Sequence, residues 1–343
     1  MSLGRFLLRR GVHGVFVVWG VVTVVFLLRF ISPGDPVNFI APLDASPELR
    51  RRIAEELGLN RPMYVQYAEY LAGLVRGDMG FSYLRGQEAS AIVFARLPAT
   101  IELAVAASVV AVVIAIPLGV ISATRRHQPA DYGATLFSLV GISTPNFWLG
   151  IMLILVAAVQ LNLFPTSQRP VGFLEIFGHL VAVELAGPSV AVPLDVRAFA
   201  GTLGTWLWHI TLPALTLGTY FTALITRLTR SGMLDELGKP YVDAARAKGL
   251  PETLVRYRHA LRNTLIPVIT VLGLQLGTLI GGAVITEAVF AWPGLGTLLI
   301  GSINVRDWPL IQASLIVIGV SFVLLNIAVD ALYASLDPRV DYE

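Results

Sequence analysis

Apolar runs long enough to cross a bilayer recur along this chain, and they restrict it to few architectures. Gly11 to Ile31, Ile101 to Ile121, Ala134 to Leu161, Ile210 to Thr226, Leu265 to Val289 and Leu310 to about Tyr333 are each predominantly apolar. Roughly 20 such residues in helical geometry cover the hydrocarbon core. Lipid offers the backbone no partner, so each run must satisfy its own N–H and C=O groups within a helix. Composition agrees: 55% of the 343 residues are hydrophobic and 14% charged, with a mean hydropathy of +0.71, where a soluble domain has about a quarter charged. The expected class is an all-α integral membrane protein with six transmembrane helices. The net charge of +2 carries no nucleic-acid footprint, and the absence of cysteine excludes disulfide and thiolate chemistry.

The segments between the runs carry the detail. Arg5, Arg9 and Arg10 precede the first run as in a signal peptide, but the run is longer than an h-region and no small-residue cleavage site follows. It is expected to stay as a span, so that residues 1–32 hold the N-terminal tail and helix 1. Residues 33–98 form a polar extracytoplasmic cap with two expected helices, one from Ser46-Pro47-Glu48 to Leu57 closed by Gly58, the other from Pro62 to Val75. Tyr64, Tyr67 and Tyr70 share a side of the second and suit packing within the cap. Residues 99–335 are the membrane core and 336–343 a tail. The third run is interrupted by Ser143-Thr144-Pro145-Asn146, where a proline kinks a helix and frees a carbonyl that protein or a wet cavity must satisfy. Residues 163–208 include a fairly apolar stretch, but Glu175, His179, Glu184 and Gly187-Pro188 argue for an outer loop with interfacial helices, ending at Trp206 and Trp208 before a short fourth span. Gly273, Gly277 and Gly281 leave one face of the fifth span nearly bare for close helix packing.

Charge sets the orientation. With the N-terminus inside, segments 1–10, 122–133, 227–264 and 334–343 are cytoplasmic and hold fourteen Lys and Arg residues, from Arg5 to Arg339. Counting residues 171–192 as a further span would put the most basic loop outside. Six spans with both termini in the cytoplasm is the expectation.

The most basic of these segments contains MLDELGKPYVDAARAKGLPETLVRYRHALRNTLIP, Met233 to Pro267. Pro240 suits a first helical turn and Asp243 the positive end of the dipole. Lys248 lies near the last turn, Gly249 can take the left-handed position after it, and Pro251 stops continuation. Between them stand the small side chains Ala244, Ala245 and Ala247. Two readings remain open: a helix shaped to seat in another protein's groove, or an ordinary helical loop between spans.

Little in the chain suggests chemistry of its own. Gly238-Lys239 is followed by Pro240 where a phosphate loop needs Ser or Thr. The five histidines are scattered without ligand spacing, and no G-x-S-x-G elbow occurs. Arg29 can snorkel outward, and Glu102 and Glu287 stand near span ends. Asp330, with Asn326 one turn before it, lies deep in the sixth span, where a carboxylate must face protein or water. A helix-packing bond or an ion pair to an inner arginine is the structural alternative. Ser143, Pro145, Asn146, Gln275, Asn326 and Asp330 are the candidate lining of a translocation pathway.

Asp243-Ala244-Ala245, followed after three residues by Gly249, resembles the "EAA" loop of ATP-binding-cassette importer permeases, with Asp in place of the usual Glu. Arg246-Ala247-Lys248-Gly249-Leu250 and Arg258-His259-Ala260-Leu261-Arg262-Asn263 are similar to the dipeptide/oligopeptide/nickel permease family. So are Pro33-Gly34-Asp35-Pro36-Val37, Arg96-Leu97-Pro98-Ala99-Thr100, Leu212-Pro213-Ala214-Leu215, Trp292-Pro293-Gly294-Leu295-Gly296 and Leu336-Asp337-Pro338-Arg339. The matches run in order over nearly the whole chain, although the loop at 163–208 is longer than the family leads one to expect. The resemblance implies the type I importer permease fold. It also implies a second, homologous permease subunit, two cytoplasmic ATPase subunits and an extracytoplasmic solute-binding protein. ATP and magnesium would be bound by the ATPase subunits and no cofactor by this chain, which would hydrolyse nothing. Tyr241, Asp243, Ala244, Ala245, Arg246, Lys248 and Gly249 would form the coupling helix, with Asp243 and Arg246 as polar contacts and Ala244, Ala245 and Gly249 giving close approach. Peptides are the implied cargo, with nickel or oligosaccharide as alternatives. From other classes stand a proton-coupled secondary transporter using Asp330 and a scaffold without transport.

Overall fold

The structure, a computed structural model, describes residues 3–31, 37, 41, 44–56, 58–173, 175–176 and 196–336. It is helical almost throughout. Helix α1 (Leu3–Ile31) holds the first apolar run. The cap contributes α2 (Pro47–Glu56) and α3 (Met63–Val75), and Gly58 closes α2 at φ +65° as its position suggests. A two-residue hairpin follows, β1 (Phe81–Ser82) pairing antiparallel with β2 (Gln87–Glu88). The tyrosine face does not pack the cap on itself. The Tyr67 hydroxyl lies 2.6 Å from Thr23 Oγ1, and Phe26 of α1 meets the rings of Tyr67 and Tyr70, while Tyr64 is exposed. These tyrosines lay the cap against α1.

Helix α4 (Ala89–Thr124) begins ten residues before the expected core boundary, directly after the hairpin. The third run is not a kinked span. It is two helices, α5 (Pro129–Ser143) and α6 (Asn146–Leu153), with a π-helical continuation over Ile154–Gln160, bent by 109° at the break. Thr144 leaves the helix in extended geometry, as a residue before proline must, so Pro145 redirects the chain rather than merely bending it.

Helix α7 (Val196–Leu237) corrects both the outer loop and the short fourth span. It runs 42 residues, taking in Trp206 and Trp208 at one end and the start of the basic segment at the other. The expected span Ile210 to Thr226 is only its middle, and that middle is rich in threonine. Yet Thr211, Thr216, Thr219, Thr222 and Thr226 each donate a hydroxyl proton to the carbonyl four residues back, at 2.6–2.8 Å. Such back-bonding leaves no hydroxyl proton stranded in lipid. Of the residues that mark the expected outer loop, His179, Glu184 and Gly187-Pro188 fall outside the described residues.

After α8 (Pro240–Ala247), the short helix Glu252–Leu254 and a π-helical turn over Val255–Ala260 lead into α9 (Leu261–Val289). The Gly-, Pro- and Trp-rich loop contains a further helix, α10 (Leu295–Asn304), before α11 (Trp308–Leu336). Of the glycine face, Gly273 abuts Val329, and Gly277 meets Phe322 and Asn326, all on α11; a Cβ on Gly281 would meet no atom within 4 Å among the described residues. Among the described residues four helices are long and apolar enough to cross a membrane, or five if the bent α5–α6 pair counts as one; α7 is not among them.

The main core lies where α4, α7 and α9 meet, with Ala107, Ala111, Ala115, Leu217, Ile225, Val268 and Trp292 buried together. Small residues permit the close approach of α4 and α7. A Cβ on Gly218 would stand 2.7 Å from the Ala107 carbonyl oxygen, and one on Gly119 2.5 Å from Thr229. Helix α1 lies along α11, with Gly14 against Val323 and Gly319 against Val21.

Candidate functional site

The segment between α7 and α9 folds around α8. Lys239 precedes it in extended geometry, Pro240 occupies the first turn where its missing N–H costs nothing, and Asp243 sits near the N-terminal end of the dipole. At the other end Gly249 takes φ +76°, its N–H donating to Arg246 O (2.9 Å) while Leu250 N–H donates to Ala245 O (3.3 Å). This is the paired bonding of a Schellman cap. Leu250 folds back onto an apolar cluster of Val242, Ala245, Val255 and Leu237. The cluster corrects one expectation: Ala245 is buried against its own chain and seats the helix, while Ala244, Asp243, Arg246, Lys248 and Gly249 are exposed.

Two polar groupings hold this helix in place. Tyr241 donates its hydroxyl to Glu236 Oε2 at 2.6 Å and accepts from Asn263 Nδ2 at 3.0 Å, so that one side chain joins the end of α7 to the start of α9. Lys239 Nζ meets Glu236 Oε1 at 2.5 Å. Partial burial pushes Glu236 up, but the hydrogen bonds from Lys239, Tyr241 and Asn263 outweigh it and hold the carboxyl below the ordinary glutamate range. On the exposed side Arg246 reaches Asp243 (3.3 Å) and Glu252 (3.1 Å), and Arg256 also reaches Glu252 (3.3 Å). Glu236 and Glu252 were not singled out from sequence. Glu252 stands four residues before Arg256 and Glu236 three before Lys239, and that spacing was the available signal.

The candidate pathway residues are dispersed. Ser143 and Pro145 are exposed at the α5–α6 bend, with Asn146 half-buried on the α6 side. Gln275 accepts from Thr278 on its own helix, and Asn326 donates to Phe322 O on its own while lying beside Gly277. Asp330 pairs with Arg10 at 3.2 Å, tying α11 to α1. Among the described residues no hydrogen bond joins the bend to Gln275, Asn326 or Asp330.

The outer-end carboxylates have dedicated partners. Glu102 is held by Arg169 (2.9 and 2.5 Å) and the Phe173 N–H (2.8 Å). Glu287 is fully buried. It accepts from Thr100 Oγ1 (2.7 Å) and from the Gly296 and Thr297 N–H groups at the start of α10 (2.7 and 3.1 Å). Trp292 donates to Ala99 O at 2.8 Å beside it. The resemblance-bearing Pro98-Ala99-Thr100 and Trp292-Pro293-Gly294-Leu295-Gly296 runs therefore form one structural junction, made of α4, α9 and α10.

Comparison with known proteins decides the family. The model described as "Binding-protein-dependent transport system inner membrane component" matches residues 115–342, and its N-terminal companion matches residues 3–104. The chain belongs to this family. Among curated relatives, the oligopeptide transport system permease protein AppB of Bacillus subtilis (strain 168) is 38% identical over 341 residues, covering 99% of this chain and 100% of that protein. The dipeptide transport system permease protein DppB of Escherichia coli (strain K12) is 38% identical over 343 residues, 99% of each chain. The glutathione transport system permease protein GsiC of Escherichia coli O6:H1 is 35% identical over 324 residues, 94% of each. Membership makes this chain a multi-pass membrane component of a binding-protein-dependent transport system, a permease subunit and not an enzyme.

Proposed function

We propose that this chain is one permease subunit of an ATP-driven importer of short peptides, forming half of the translocation pathway. Full-length likeness to dipeptide, oligopeptide and glutathione permeases supports the cargo class. The six-span arrangement with both termini inside is part of the reading, with α7 as the fourth span. The observation that carries the coupling role is the geometry of α8. It is a two-turn helix opened by Pro240 and closed by a Schellman cap, bare and charged on its outer face, and fastened by Tyr241 and the Val242–Ala245–Val255 cluster to α7 and α9. A push on such a helix moves both long helices with it. A partner permease, two ATPase subunits carrying ATP and magnesium, and an external solute-binding protein complete the machine. Each ATPase receives one coupling helix in a surface cleft, where Asp243, Arg246 and Lys248 make polar contacts and Ala244 allows close approach. ATP-driven closure brings the two coupling helices together and opens the path outward.

Ala244→Trp tests this with less ambiguity than a change at Gly249, whose φ of +76° strains any side chain. In the purified complex reconstituted with its binding protein, Ala244→Trp is expected to abolish peptide uptake while the chain inserts and melts as wild type. Normal uptake by that variant would refute the coupling assignment. The Arg10–Asp330 ion pair gives Asp330 a structural partner, so nothing in the geometry favours a proton-coupled carrier.

A further inference from the structure

A cleft of about 300 Å³ opens between α5 and α7, away from both α8 and the outer junction. Its α5 wall is Ala134, Thr135, Ser138, Leu139 and Ile142, one helical face climbing away from Asp131. Its α7 wall is Thr226, Arg227 and Arg230, and Ser122 of α4 lies at the same end. The cleft wall is thus mostly aliphatic, with the side chains of Arg227 and Arg230 at one end.

Most of its hydroxyls are already committed. Ser122 donates to Asp131 (2.6 Å), Ser138 to Ala134 O (2.9 Å) and Thr226 to Thr222 O (2.7 Å). They offer little to a sugar or a peptide backbone. Arg230 gives Nε and Nη2 to Asp131 at 2.7 and 3.0 Å, which fixes its position. Arg227 is exposed and makes no ion pair among the described residues. Exposed Arg125 and Arg126 follow Ser122 on the adjoining turn, so the segments framing this end carry four guanidinium groups and the single carboxylate of Asp131. Beyond the cleft α5 shows Leu136, Phe137 and Val140 to its surroundings.

We propose that this cleft binds an anionic phospholipid, its phosphate at Arg227 and Arg230 and an acyl chain along Leu139 and Ile142. Charge complementarity selects the head, and the aliphatic wall selects a ligand with a tail. Assigning the lipid to the inner leaflet rests on the orientation proposed above.

The test uses the full chain with its co-purifying subunits in nanodiscs of phosphatidylcholine doped with phosphatidylglycerol, reading retained lipid by native mass spectrometry. Wild type is expected to retain phosphatidylglycerol over phosphatidylcholine. Arg227→Gln should weaken that retention about fivefold. Thr135→Trp, which fills the cleft from an exposed position without changing charge, should abolish it. Arg258→Gln, another exposed arginine of the basic segments, should leave it unchanged. Equal retention by wild type and both cleft variants overturns the site, and so does an equal loss in Arg258→Gln, which would mean diffuse attraction. Dioctanoyl phosphatidylglycerol should displace the bound lipid where inorganic phosphate does not; displacement by phosphate alike overturns the lipid assignment in favour of a simple anion site. Orientation is read separately by labelling Gln128→Cys in this cysteine-free chain from either side, so a wrong leaflet is distinguishable from an absent site.

Discussion

Two carboxylate-centred junctions, one at each end of α9, solve opposite problems. Glu287 at the outer end is sealed from solvent, has no cation partner among the described residues, and is satisfied by one hydroxyl and two N–H groups at the start of α10. Glu236 at the inner end is partly buried and held by the solvent-exposed ammonium, phenol and amide of Lys239, Tyr241 and Asn263, at the starts of α8 and α9. A buried, fully bonded carboxylate tolerates no displacement, because each lost bond strands a polar group in a dry interior. A solvated network can stretch and re-form, since water replaces any partner that leaves. The contrast assigns rigidity to the outer junction and permitted motion to the inner one.

The contrast is most exposed at Glu287. Glu287→Leu strands the Thr100 hydroxyl and two backbone donors, and is expected to cost about 3 kcal/mol or more, seen as poor yield and a large fall in the detergent melting temperature. A variant that melts like wild type would mean the outer junction is not the rigid one. Next in size is Gly218→Val at the α4–α7 crossing, where a side chain meets the Ala107 carbonyl; overpacking of about 1–3 kcal/mol is expected in the same melt. At the inner end Tyr241→Phe removes the hydroxyl that bridges Glu236 and Asn263, leaving only their direct 3.5 Å contact. Its stability cost should be about 1 kcal/mol or less, while ATP hydrolysis by the complex continues with reduced uptake per ATP. An unchanged ratio of uptake to hydrolysis would make Tyr241 a bystander. The smallest effect concerns pH. Because Glu236 is held below its ordinary value, its contribution is present above the unfolded-state pKa and is lost as pH falls through the folded one. Glu236→Gln should therefore show less acid-induced loss of melting temperature than wild type, by about 1 kcal/mol at most for a group whose partners are solvent-exposed.

Much of this was legible in the residue order. Pro240 and Gly249 mark the ends of α8 because proline and a left-handed glycine act locally, within a turn of themselves. Gly58 did the same for α2. What stayed hidden depends on partners far away in sequence. Arg169 finds Glu102 across 67 residues, and Ser82 finds Asp307 across 225. No periodicity encodes such choices. The length of α7 was obscured for another reason: Trp206 and Trp208 at one end and Arg227 and Arg230 at the other read as boundaries of a span, while the helix continues through both. The Ser143–Asn146 break was visible, but its 109° bend is set by the neighbours into which Gly150 packs, namely Phe290, Thr216 and Val289. Ala245 was assigned outward because its size suits close approach to a partner, and size alone does not say on which side the approach occurs.

The threonine ladder of α7 carries a mechanical consequence. Five hydroxyl protons stay inside the helix that bears them, so along that stretch α7 presents methyl groups rather than hydrogen-bond donors to whatever lies beside it. Along that stretch a lengthwise shift breaks no threonine hydrogen bond to a neighbour, and what resists it is packing alone, as where Gly218 meets the Ala107 carbonyl.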